Sequence, residues 1–394
     1  MSRPRVMTVY GTRPEAIKVA PVVTALAASD ALDGITVVTG QHREMLDQVN
    51  AVFGIRPEHD LDVMSHGQSL SQIFTRVMAR LDDVLTVEQP DAVLVQGDTT
   101  TSTAAAMAAF NRRIPVVHLE AGLRSGDLTS PFPEEANRRL TTQITDLHLA
   151  PTAMSRDNLL REGVRPETVV VTGNTVIDAL LDVVDRPALF QDPAVAAVAA
   201  RGGALLLVTT HRRENWGLPM RNIGAALGAL ADAFPWLTVV LPAHRNPLVR
   251  DAVLPAVRGR SNVVITEPLC YSDFVHLTAR ATVVLTDSGG VQEEAPSLGK
   301  PVLVMRDNTE RPEAVDAGTV RLVGTDARRI VGEVSHLLTD TNAYGRMARA
   351  VNPYGDGRAA ARSVAALAEL LGVGSRIDEF RAAPVLAALP SLAV

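Results

Sequence analysis

Short runs of β-branched residues alternate with longer Ala- and Leu-rich stretches along most of the chain. Val6–Tyr10 has the composition of a buried strand, and Pro14–Ala28 has that of a helix. Because alternating strands and helices form parallel βαβ units, this pattern predicts an α/β fold with helices on both faces of each sheet. The predicted strands are Val6–Tyr10, Ile35–Thr39, Ala92–Val95, Pro115–Leu119, Leu147–Ala150 and Val169–Thr172, followed by Ala204–Thr209, Leu237–Leu241, Val263–Ile265, Ala281–Thr286 and Pro301–Met305.

The segment Asp185–Gly203 interrupts this alternation. It contains Pro187, Pro193 and a Gly pair, a composition typical of a connection between domains. We therefore predict two doubly wound, Rossmann-like domains of similar size. Ligands of such sheets bind beyond the carboxyl ends of the strands, so we expect an active site in the cleft between the two domains. The last stretch, Ile377–Val394, is weakly patterned and is expected to pack on the surface or to be disordered.

The net charge and the cysteine content exclude several classes of function. The 394-residue chain has a formal net charge of −6, so it lacks the basic excess that nucleic-acid binding requires. Its one cysteine, Cys270, excludes an intrachain disulfide and a cysteine-based zinc or iron–sulfur site. No apolar run of about 20 residues predicts a membrane span, and no signal-peptide pattern precedes the first strand. These features predict a cytoplasmic protein that binds neither nucleic acid nor a membrane.

Polar clusters follow nearly every predicted strand. A capped turn explains any one cluster, but their repetition at the same edge of two sheets favours a binding site. The clusters are Gly11–Glu15 with Lys18, Gln96–Thr101, Glu120–Arg124, His211–Glu214 and Asp287–Gly290.

The most informative cluster is Ser288-Gly289-Gly290, because it opens a predicted helix. Glycines there let a ligand approach the backbone, and the free N–H groups at the start of a helix favour phosphate. Glu294, one turn further on, can accept hydrogen bonds from ribose hydroxyls. Arg311, Arg13 and Lys18 can supply positive charge. A plain capped turn is the alternative, but together these residues predict a nucleotide diphosphate bound mainly by the second domain.

Signatures of other cofactors are missing from the sequence. No GxGxxG follows a strand, so a dinucleotide site is not predicted, and Gly299-Lys300-Pro301 does not form a Walker A motif. His118 shares a strand face with Glu120, but a lone pair of this kind is weak evidence for a metal, and we expect His118 to be structural. The sequence thus predicts no cofactor and no metal.

Long motifs occur in order along the chain: Gly11–Lys18, Gln41–Asp47, Gln96–Thr101, His118–Arg124, Pro133–Arg138, His211–Asn215, Thr286–Glu294 and Thr309–Glu313. Over about residues 5–370, the chain resembles the non-hydrolysing UDP-N-acetylglucosamine 2-epimerases. The resemblance implies a GT-B-type fold, with catalytic carboxylates in an N-terminal domain over 1–175 and a UDP-binding domain over 176–356. It also implies a helix over 357–372 that crosses back onto the first domain, followed by a tail over 373–394.

The resemblance implies an isomerase that interconverts UDP-GlcNAc and UDP-ManNAc at C2. The C2 hydrogen is not next to a carbonyl, and a redox route would need NAD, for which no site is predicted. The remaining route is elimination of UDP to a 2-acetamidoglucal and re-addition, which needs acid/base groups, stabilisation of the diphosphate and a closed site. The family is dimeric, so we expect a homodimer that binds these nucleotide sugars and UDP and supplies ManNAc units for cell-surface polysaccharides.

By resemblance, the catalytic positions are Asp98, Glu120, Glu134 and His211. We expect Asp98 and Glu134 to exchange protons and Glu120 to hold the sugar or share a proton, while which carboxylate is acid and which is base stays open. His211 and Arg212 would steady the leaving diphosphate. Substrate binding is expected from Arg13, Lys18, His244, Leu269, Phe274, Ser288, Gly289, Gly290, Glu294 and Arg311, with the uracil near Leu269 and Phe274.

Some members of the family are activated by UDP-GlcNAc at a second site. Regulated members tend to carry Gln where this chain has Glu44, and a carboxylate there would weaken diphosphate binding, so activation stays open. The residues in the matching region are Gln41, Glu44, Gln68, Glu135, Arg138 and Arg212.

Three other functions compete with this one. A glycosyltransferase of GT-B architecture would use the same diphosphate loop but require an acceptor, and a hydrolysing epimerase would release free ManNAc and UDP. A nucleotide-sugar sensor would bind without turnover, but the chain retains all of the catalytic-type residues named above. Formation of UDP-ManNAc from UDP-GlcNAc alone separates these alternatives.

Overall fold

A computed structural model describes residues 2–40, 43–65 and 67–382 of the chain. The chain divides into two units, each with its own parallel sheet. The first unit comprises the chain up to Ala179 together with Tyr354–Arg381, and the second is built from Leu180–Pro353. Within the described ranges, no helix is long and apolar enough to cross a membrane.

The first unit contains a seven-stranded sheet in the order β3-β2-β1-β4-β5-β6-β7, with all neighbours parallel. The sequence predicted each of these strands except β3, which is two residues long and too short to produce a pattern. The strands are β1 (Arg5–Tyr10), β2 (Asp33–Val38), β3 (His59–Asp60), β4 (Ala92–Gln96), β5 (Val116–Leu119), β6 (Leu147–Ala150) and β7 (Val169–Val171). The helices are α1 (Arg13–Ala27), α2 (Arg43–Phe53), α3 (Leu70–Glu88), α4 (Thr100–Asn111), α5 (Glu134–Gln143), α6 (Ala153–Arg161), α7 (Thr175–Val184), which crosses into the second unit, and α16 (Ala359–Leu370).

The second unit contains a six-stranded parallel sheet in the order β10-β9-β8-β11-β12-β13. The sequence missed only β13, an edge strand in which Arg321 interrupts the apolar run. The strands are β8 (Leu205–Thr209), β9 (Thr238–Pro242), β10 (Val263–Thr266), β11 (Val283–Thr286), β12 (Val302–Val304) and β13 (Val320–Leu322). The helices are α8 (Pro193–Arg201), α9 (Leu218–Ala233), α10 (Pro247–Val257), α11 (Tyr271–Arg280), α12 (Gly289–Ser297), α13 (Pro312–Asp316), α14 (Ala327–Thr339) and α15 (Thr341–Ala348).

The turn from β1 into α1 is set by a reciprocal cap. Thr12 Oγ1 accepts the N–H of Glu15 at 3.4 Å, and the Glu15 carboxylate accepts the N–H of Thr12 at 2.7 Å. Pro14 suits the first turn because its missing N–H would have no helical partner there. This capping box starts α1 directly at the carboxyl edge of the sheet.

Aliphatic side chains from both faces of each sheet form the cores. Leu81 and Leu85 of α3 are buried in the core of the first unit, and Leu227 and Leu230 of α9 are buried in that of the second. Burial of one such side chain stabilises a fold by about 2 kcal/mol. Gly224 allows α9 to approach α10, because a Cβ at this position would lie 3.1 Å from the Val253 backbone.

The sequence predicts a domain connection over Asp185–Gly203, and the structure corrects this prediction. The segment contains α8, and it is fastened to the second unit by the buried carboxylate of Asp273. That carboxylate accepts the backbone N–H groups of Gln191 at 3.0 Å and Asp192 at 2.9 Å. The Pro residues that resemble a linker include Pro193, which lies in the first turn of α8.

The described part of the segment after α16 packs against the first unit, which is one of the two outcomes expected from the sequence. Phe380 is buried, and the Arg362 guanidinium lies 5.7 Å from the centre of its ring. Residues 383–394 of the predicted tail lie outside the described part of the chain. The chain leaves the first unit within α7, after Ala179, and returns at Tyr354, whereas the sequence boundaries were 175/176 and 356/357.

Gly122 is expected to be essential for the stability of the first unit. Its φ is +93°, and a Cβ would lie 2.2 Å from the Ser155 carbonyl oxygen in α6. Gly122→Ala should lower the free energy of unfolding by about 3 kcal/mol or more, from backbone strain and overlap together. Gly163→Ala is the matched control, since Gly163 has a φ of +86° but no atom within 4 Å of its Cβ position. It should lose about 1 kcal/mol in denaturant titrations, and equal losses in the two variants would contradict this account.

Candidate functional site

Three carboxylates lie at the carboxyl edge of the first sheet, and we call them the carboxylate cluster: Asp98, Glu120 and Glu134. Asp98 follows β4, Glu120 follows β5, and Glu134 is the first residue of α5. The backbones of Gly97 and Glu120 are both left-handed, with φ of +67° and +66°. A residue with a Cβ rarely adopts this conformation, so the surroundings must hold Glu120 in place.

The Glu120 carboxylate is held by donors from three other parts of the first unit. The Lys18 ammonium forms an ion pair with Oε1, and Asn174 Nδ2 donates to the same oxygen at 3.1 Å. Gln96 Nε2 donates to Oε2 at 2.5 Å. Lys18 lies in α1, Gln96 ends β4, and Asn174 precedes α7. Residues at or after the ends of four strands, β1, β4, β5 and β7, therefore meet at the Glu120 carboxylate.

Asp98 combines partial burial with neighbouring charges of both signs. Its Oδ2 lies 3.0 Å from Arg138 Nη2, and its side chain retains 26% of its exposure. Burial is the largest cause that raises the pKa of Asp98 to about 6. Arg138 opposes this rise, whereas the negative charges of Glu120 and Glu134 add to it. A carboxyl group with this pKa can both accept and return a proton near neutral pH.

Helix α5 is fixed against the loop that carries Asp98. Asn137 Nδ2 donates to the Asp98 carbonyl at 2.9 Å, and Arg138 Nε donates to the Glu134 carbonyl at 3.3 Å. The fully buried Glu135 carboxylate accepts the N–H of Ser125 at 2.9 Å. Arg138 and Glu135, which the sequence associates with a second ligand site, thus have structural contacts beside the cluster.

Another buried carboxylate, that of Glu15, joins the loops after β1 and β4. It accepts the N–H groups of Gly11 at 2.9 Å and Thr12 at 2.7 Å, and the hydroxyl of Thr99 at 2.6 Å. Burial raises its pKa. Arg13 is the first residue of α1, and it directly follows this turn.

His118, which the sequence predicts to be structural, lies against the backbone of Gly97. The side chain is fully buried, its Nε2 lies 2.7 Å from the Gly97 carbonyl oxygen, and burial lowers its pKa to about 3. Within the parts of the chain that the structure describes, no group of three or more His, Cys, Asp or Glu side chains could hold a metal ion.

In the second unit, Asp287 organises the loop after β8. Its buried carboxylate accepts the backbone N–H groups of His211 and Arg212, each at 3.0 Å. It also accepts the Thr210 hydroxyl at 2.9 Å and the Asn215 amide at 3.1 Å. Burial acts to raise the pKa of Asp287, but hydrogen bonds and the charge of His211 outweigh it and hold this pKa below its usual range.

The imidazole of His211 is oriented by two neighbours. Its Nδ1 lies 3.2 Å from Asp287 Oδ1, and its ring stacks on that of His244 with a centroid separation of 6.0 Å. Burial lowers the pKa of His244, and the adjacent His211 lowers it further. An Asp on one ring nitrogen leaves the other nitrogen of His211 available for a ligand.

The start of α12 carries positive charge from a side chain as well as from its backbone. Arg311 lies against Gly289, where a Cβ would lie 2.7 Å from Arg311 Nη1. Arg311 Nε donates to the buried Glu293 at 2.5 Å, which holds the guanidinium at this position. Together with the free N–H groups at the start of the helix, it forms a site suited to phosphate.

The other sequence-predicted residues of the second unit divide between two places. Ser288 precedes α12, and a Cβ at Gly290 would lie 3.3 Å from Glu294 Oε1, so these residues share the start of α12. Leu269 is buried before α11, and Phe274 lies in the first turn of α11. Leu269 and Phe274 therefore follow the edge strand β10. In the sheet, β9 and β8 lie between β10 and β11, the strand that precedes α12.

The residues predicted for a second ligand site are only partly described. Gln41 and the side chain of Glu44 lie outside the described residues. Gln68 is half-buried, and its Oε1 accepts a hydrogen bond from Arg76 Nη1 at 2.7 Å. Arg212 belongs to the second unit, and its backbone N–H donates to the Asp287 carboxylate.

The sequence places Gln96 and Asp287 in the polar clusters that follow β4 and β11, but it assigns neither residue a role in the site. Asn174 lies outside these clusters. Asn174 follows Gly173 after β7, and a Gly-Asn pair before a helix is usually interpreted as a cap. Only the packing places its amide on Glu120.

Two doubly wound units with polar side chains at the ends of their strands define a two-domain α/β protein of GT-B-like architecture. The chain belongs to the UDP-N-acetylglucosamine 2-epimerase family, whose model matches residues 24–368. The UDP-N-acetylglucosamine 2-epimerase of Yersinia pestis is 54% identical to it, over 92% of this chain and 98% of the relative.

Solved structures extend the similarity to three dimensions. The Neisseria meningitidis UDP-GlcNAc 2-epimerase bound to UDP-GlcNAc matches 93% of this chain and 100% of its own, with a TM-score of 0.85 and 47% identity. The Methanocaldococcus jannaschii enzyme in complex with UDP-GlcNAc and UDP matches 94% of this chain and 100% of its own, with a TM-score of 0.76 and 31% identity. The predicted fold class is confirmed.

The raised pKa of Asp98 predicts a pH-dependent effect on stability. Because the folded protein holds this proton up to about pH 6 and the unfolded chain releases it near pH 4, ionised Asp98 costs stability above pH 6. Asp98→Asn should therefore gain about 2 kcal/mol relative to wild type as the pH rises from 4 to 7.5, measured by denaturant unfolding.

Asp232→Asn provides a control of opposite sign. A hydrogen bond from Arg260 lowers the pKa of Asp232, so its contribution to stability is present at neutral pH and is lost in acid. A difference between Asp98→Asn and wild type that is constant across this pH range would contradict the assignment.

Proposed function

We propose that this chain catalyses the reversible interconversion of UDP-GlcNAc and UDP-ManNAc by inverting C2 of the sugar. The observation that carries the proposal is the carboxylate cluster, with the pKa of Asp98 near 6, in a member of this family. The names of its relatives and the UDP-GlcNAc bound to the Neisseria enzyme support this substrate. No observation favours a glycosyltransferase, a hydrolysing epimerase or a sensor.

The chemistry we propose is elimination followed by re-addition. A carboxylate removes the C2 hydrogen as a proton, the C2–H electron pair becomes the C1–C2 double bond, and the C1–O pair leaves with UDP. UDP then adds back at C1 while a proton is delivered to the opposite face of C2. This route needs two proton-exchanging groups and stabilisation of the leaving diphosphate.

The carboxylate cluster supports the acid/base part of this scheme. Asp98 and Glu134 are assigned to the exchange of the C2 proton, because Glu134 lies close enough to raise the pKa of Asp98 by its charge. Glu120 is assigned to holding the sugar or sharing a proton, since both of its oxygens already have donors. Lys18, paired with Glu120, and Arg13 are assigned to the substrate on the same edge of the sheet.

The second unit is assigned to UDP. The start of α12 with Arg311 suits the diphosphate, Glu294 suits the ribose, and His211 with Arg212 steadies the charge that develops as UDP leaves. We place the uracil by Leu269 and Phe274, with His244 supporting the ring of His211. The division into a catalytic N-terminal domain, a UDP domain and a returning helix, α16, is part of the same proposal.

The proposal extends to the setting in which the reaction is used. We assign the chain to the cytoplasm as a homodimer that supplies ManNAc units for cell-surface polysaccharide. The resemblance to the family supports these assignments, and the same resemblance leaves activation by a second UDP-GlcNAc open.

Incubation of the protein with UDP-GlcNAc in D₂O tests the function and its chemistry together. We expect UDP-ManNAc without any added acceptor, and deuterium at C2 of the product by proton NMR, because the returned proton exchanges with solvent. Full epimerisation with the C2 hydrogen retained would overturn the elimination route. Release of free ManNAc would instead identify a hydrolysing enzyme.

The same conversion of UDP-GlcNAc to UDP-ManNAc tests the roles assigned to the carboxylate cluster. Asp98→Asn, Glu120→Gln and Glu134→Gln should each lower kcat by roughly two to four powers of ten, while the Kd for UDP stays within a few-fold. Asp83→Asn removes an exposed carboxylate of the same unit and serves as the control with wild-type kcat. Wild-type turnover in any of the three cluster variants would remove that residue from the assignment.

Gly289 tests the diphosphate site. The added methyl of Gly289→Ala would lie 2.7 Å from Arg311 Nη1 and displace the guanidinium, so the Kd for UDP should rise about tenfold or more. Gly332→Ala, a helical position with no atom within 4 Å of the added Cβ, should leave the Kd unchanged. Isothermal titration with UDP measures both, and equal Kd values would place the diphosphate elsewhere.

A further inference from the structure

Asn174 connects Glu120 of the carboxylate cluster to the place where the chain re-enters the first unit. It lies between β7 and α7 and is 3% exposed. Its Nδ2 donates to Glu120 Oε1 at 3.1 Å, and its Oδ1 accepts the N–H of Val176 at 3.1 Å. Its backbone N–H donates to the carbonyl oxygen of Tyr354 at 2.6 Å. This buried residue is thus hydrogen-bonded to two distant residues, Glu120 and Tyr354, and to the nearby Val176.

The orientation of this amide follows from its neighbours. The N–H of Val176 can only donate, so it requires the oxygen of the Asn174 side chain. The Glu120 carboxylate, which accepts from Lys18 and Gln96, requires a donor, and the nitrogen of the same amide supplies it. Both requirements give the same orientation, so the donor to Glu120 is specified by the start of α7.

The backbone of Asn174 is anchored where the chain returns to the first unit. Gly355 follows Tyr354, and a Cβ there would lie 3.0 Å from Ile177 Cγ1 and 3.3 Å from the Asn174 carbonyl oxygen. The Asp178 carboxylate accepts the N–H of Ala360 at 2.8 Å. Because these contacts join α7 to the returning segment, Asn174 has little freedom to move away from Glu120.

We propose that Asn174 is a positioning residue that fixes the carboxylate of Glu120 for the reaction. Glu120 has a left-handed backbone that its own conformational preference does not favour, so external donors must select its orientation. Lys18 reaches Glu120 from α1 through a long side chain with four rotatable bonds, whereas the Asn174 amide is buried and hydrogen-bonded at both its nitrogen and its oxygen. This assignment rests on the proposed function, in which Glu120 contacts the sugar.

Two substitutions separate positioning from helix capping. Ser and Asp both cap helices well, so Asn174→Ser and Asn174→Asp keep an acceptor for Val176. Asn174→Asp removes the donor to Glu120, and Asn174→Ser replaces it with a hydroxyl that lies one bond closer to the backbone and is drawn back from Glu120. We expect kcat to fall about tenfold in Asn174→Ser and about a hundredfold in Asn174→Asp, where a like charge faces Glu120. The KM for UDP-GlcNAc should change by less than threefold, because the groups assigned to UDP lie in the second unit.

Asn262→Asp is the matched control for a general loss of stability. The Asn262 amide donates to the carbonyl oxygens of Ala231, Phe234 and Leu237 within the second unit, so its loss should lower the Tm but not kcat at 25 °C. Wild-type kcat in both Asn174 variants would limit Asn174 to capping and overturn the proposal. A fall in kcat for Asn262→Asp equal to theirs would also overturn it. Failure of the wild-type protein to convert UDP-GlcNAc would refute the proposed function itself, which distinguishes the two failures.

Discussion

The arrangement of side chains at the edge of the first sheet depends on the ion pair and hydrogen bonds that hold the Glu120 carboxylate. Donors from α1, from the end of β4 and from the residue before α7 meet on a side chain that follows β5. A buried carboxylate is costly without hydrogen bonds, so these connections are required to close around it. The left-handed backbone of Glu120 is tolerated for the same reason. The position of the Glu120 carboxylate is therefore set by several strands of the sheet and not by one loop.

The second unit uses the same physical device for a different purpose. Asp287 is fully buried and collects backbone and side-chain donors from the loop after β8, which brings His211 and Arg212 to the edge of the sheet. Beside it, the start of α12 and Arg311 provide positive potential. In the function we propose, the first unit exchanges protons and the second unit holds the anion. An elimination that releases UDP requires both kinds of site.

The alternation of strands and helices was sufficient to predict the parallel sheets, because each buried strand requires a continuous apolar run. It failed at β3 and β13, where a two-residue pairing and a central Arg321 produce no such run. It also failed at Asp185–Gly203, since a Pro in the first turn of α8 resembles a linker when the partner carboxylate, Asp273, is distant in sequence. The candidate site residues come from motifs and strand ends, as at Asp98 and Gly289, and their roles stay predictions.

What the sequence determined by itself is local. The capping box of Thr12 and Glu15 and the glycines that start α12 are specified by residues a few positions apart. The tertiary structure decided which groups face each other: Glu120 meets Lys18, Gln96 and Asn174 across 102, 24 and 54 positions of the chain. It also decided the pKa of Asp98, because loss of water around a carboxyl group depends on everything that packs against it. Periodicity and capping are properties of neighbouring residues, whereas burial and the pairing of distant charges exist only once the sheet has formed.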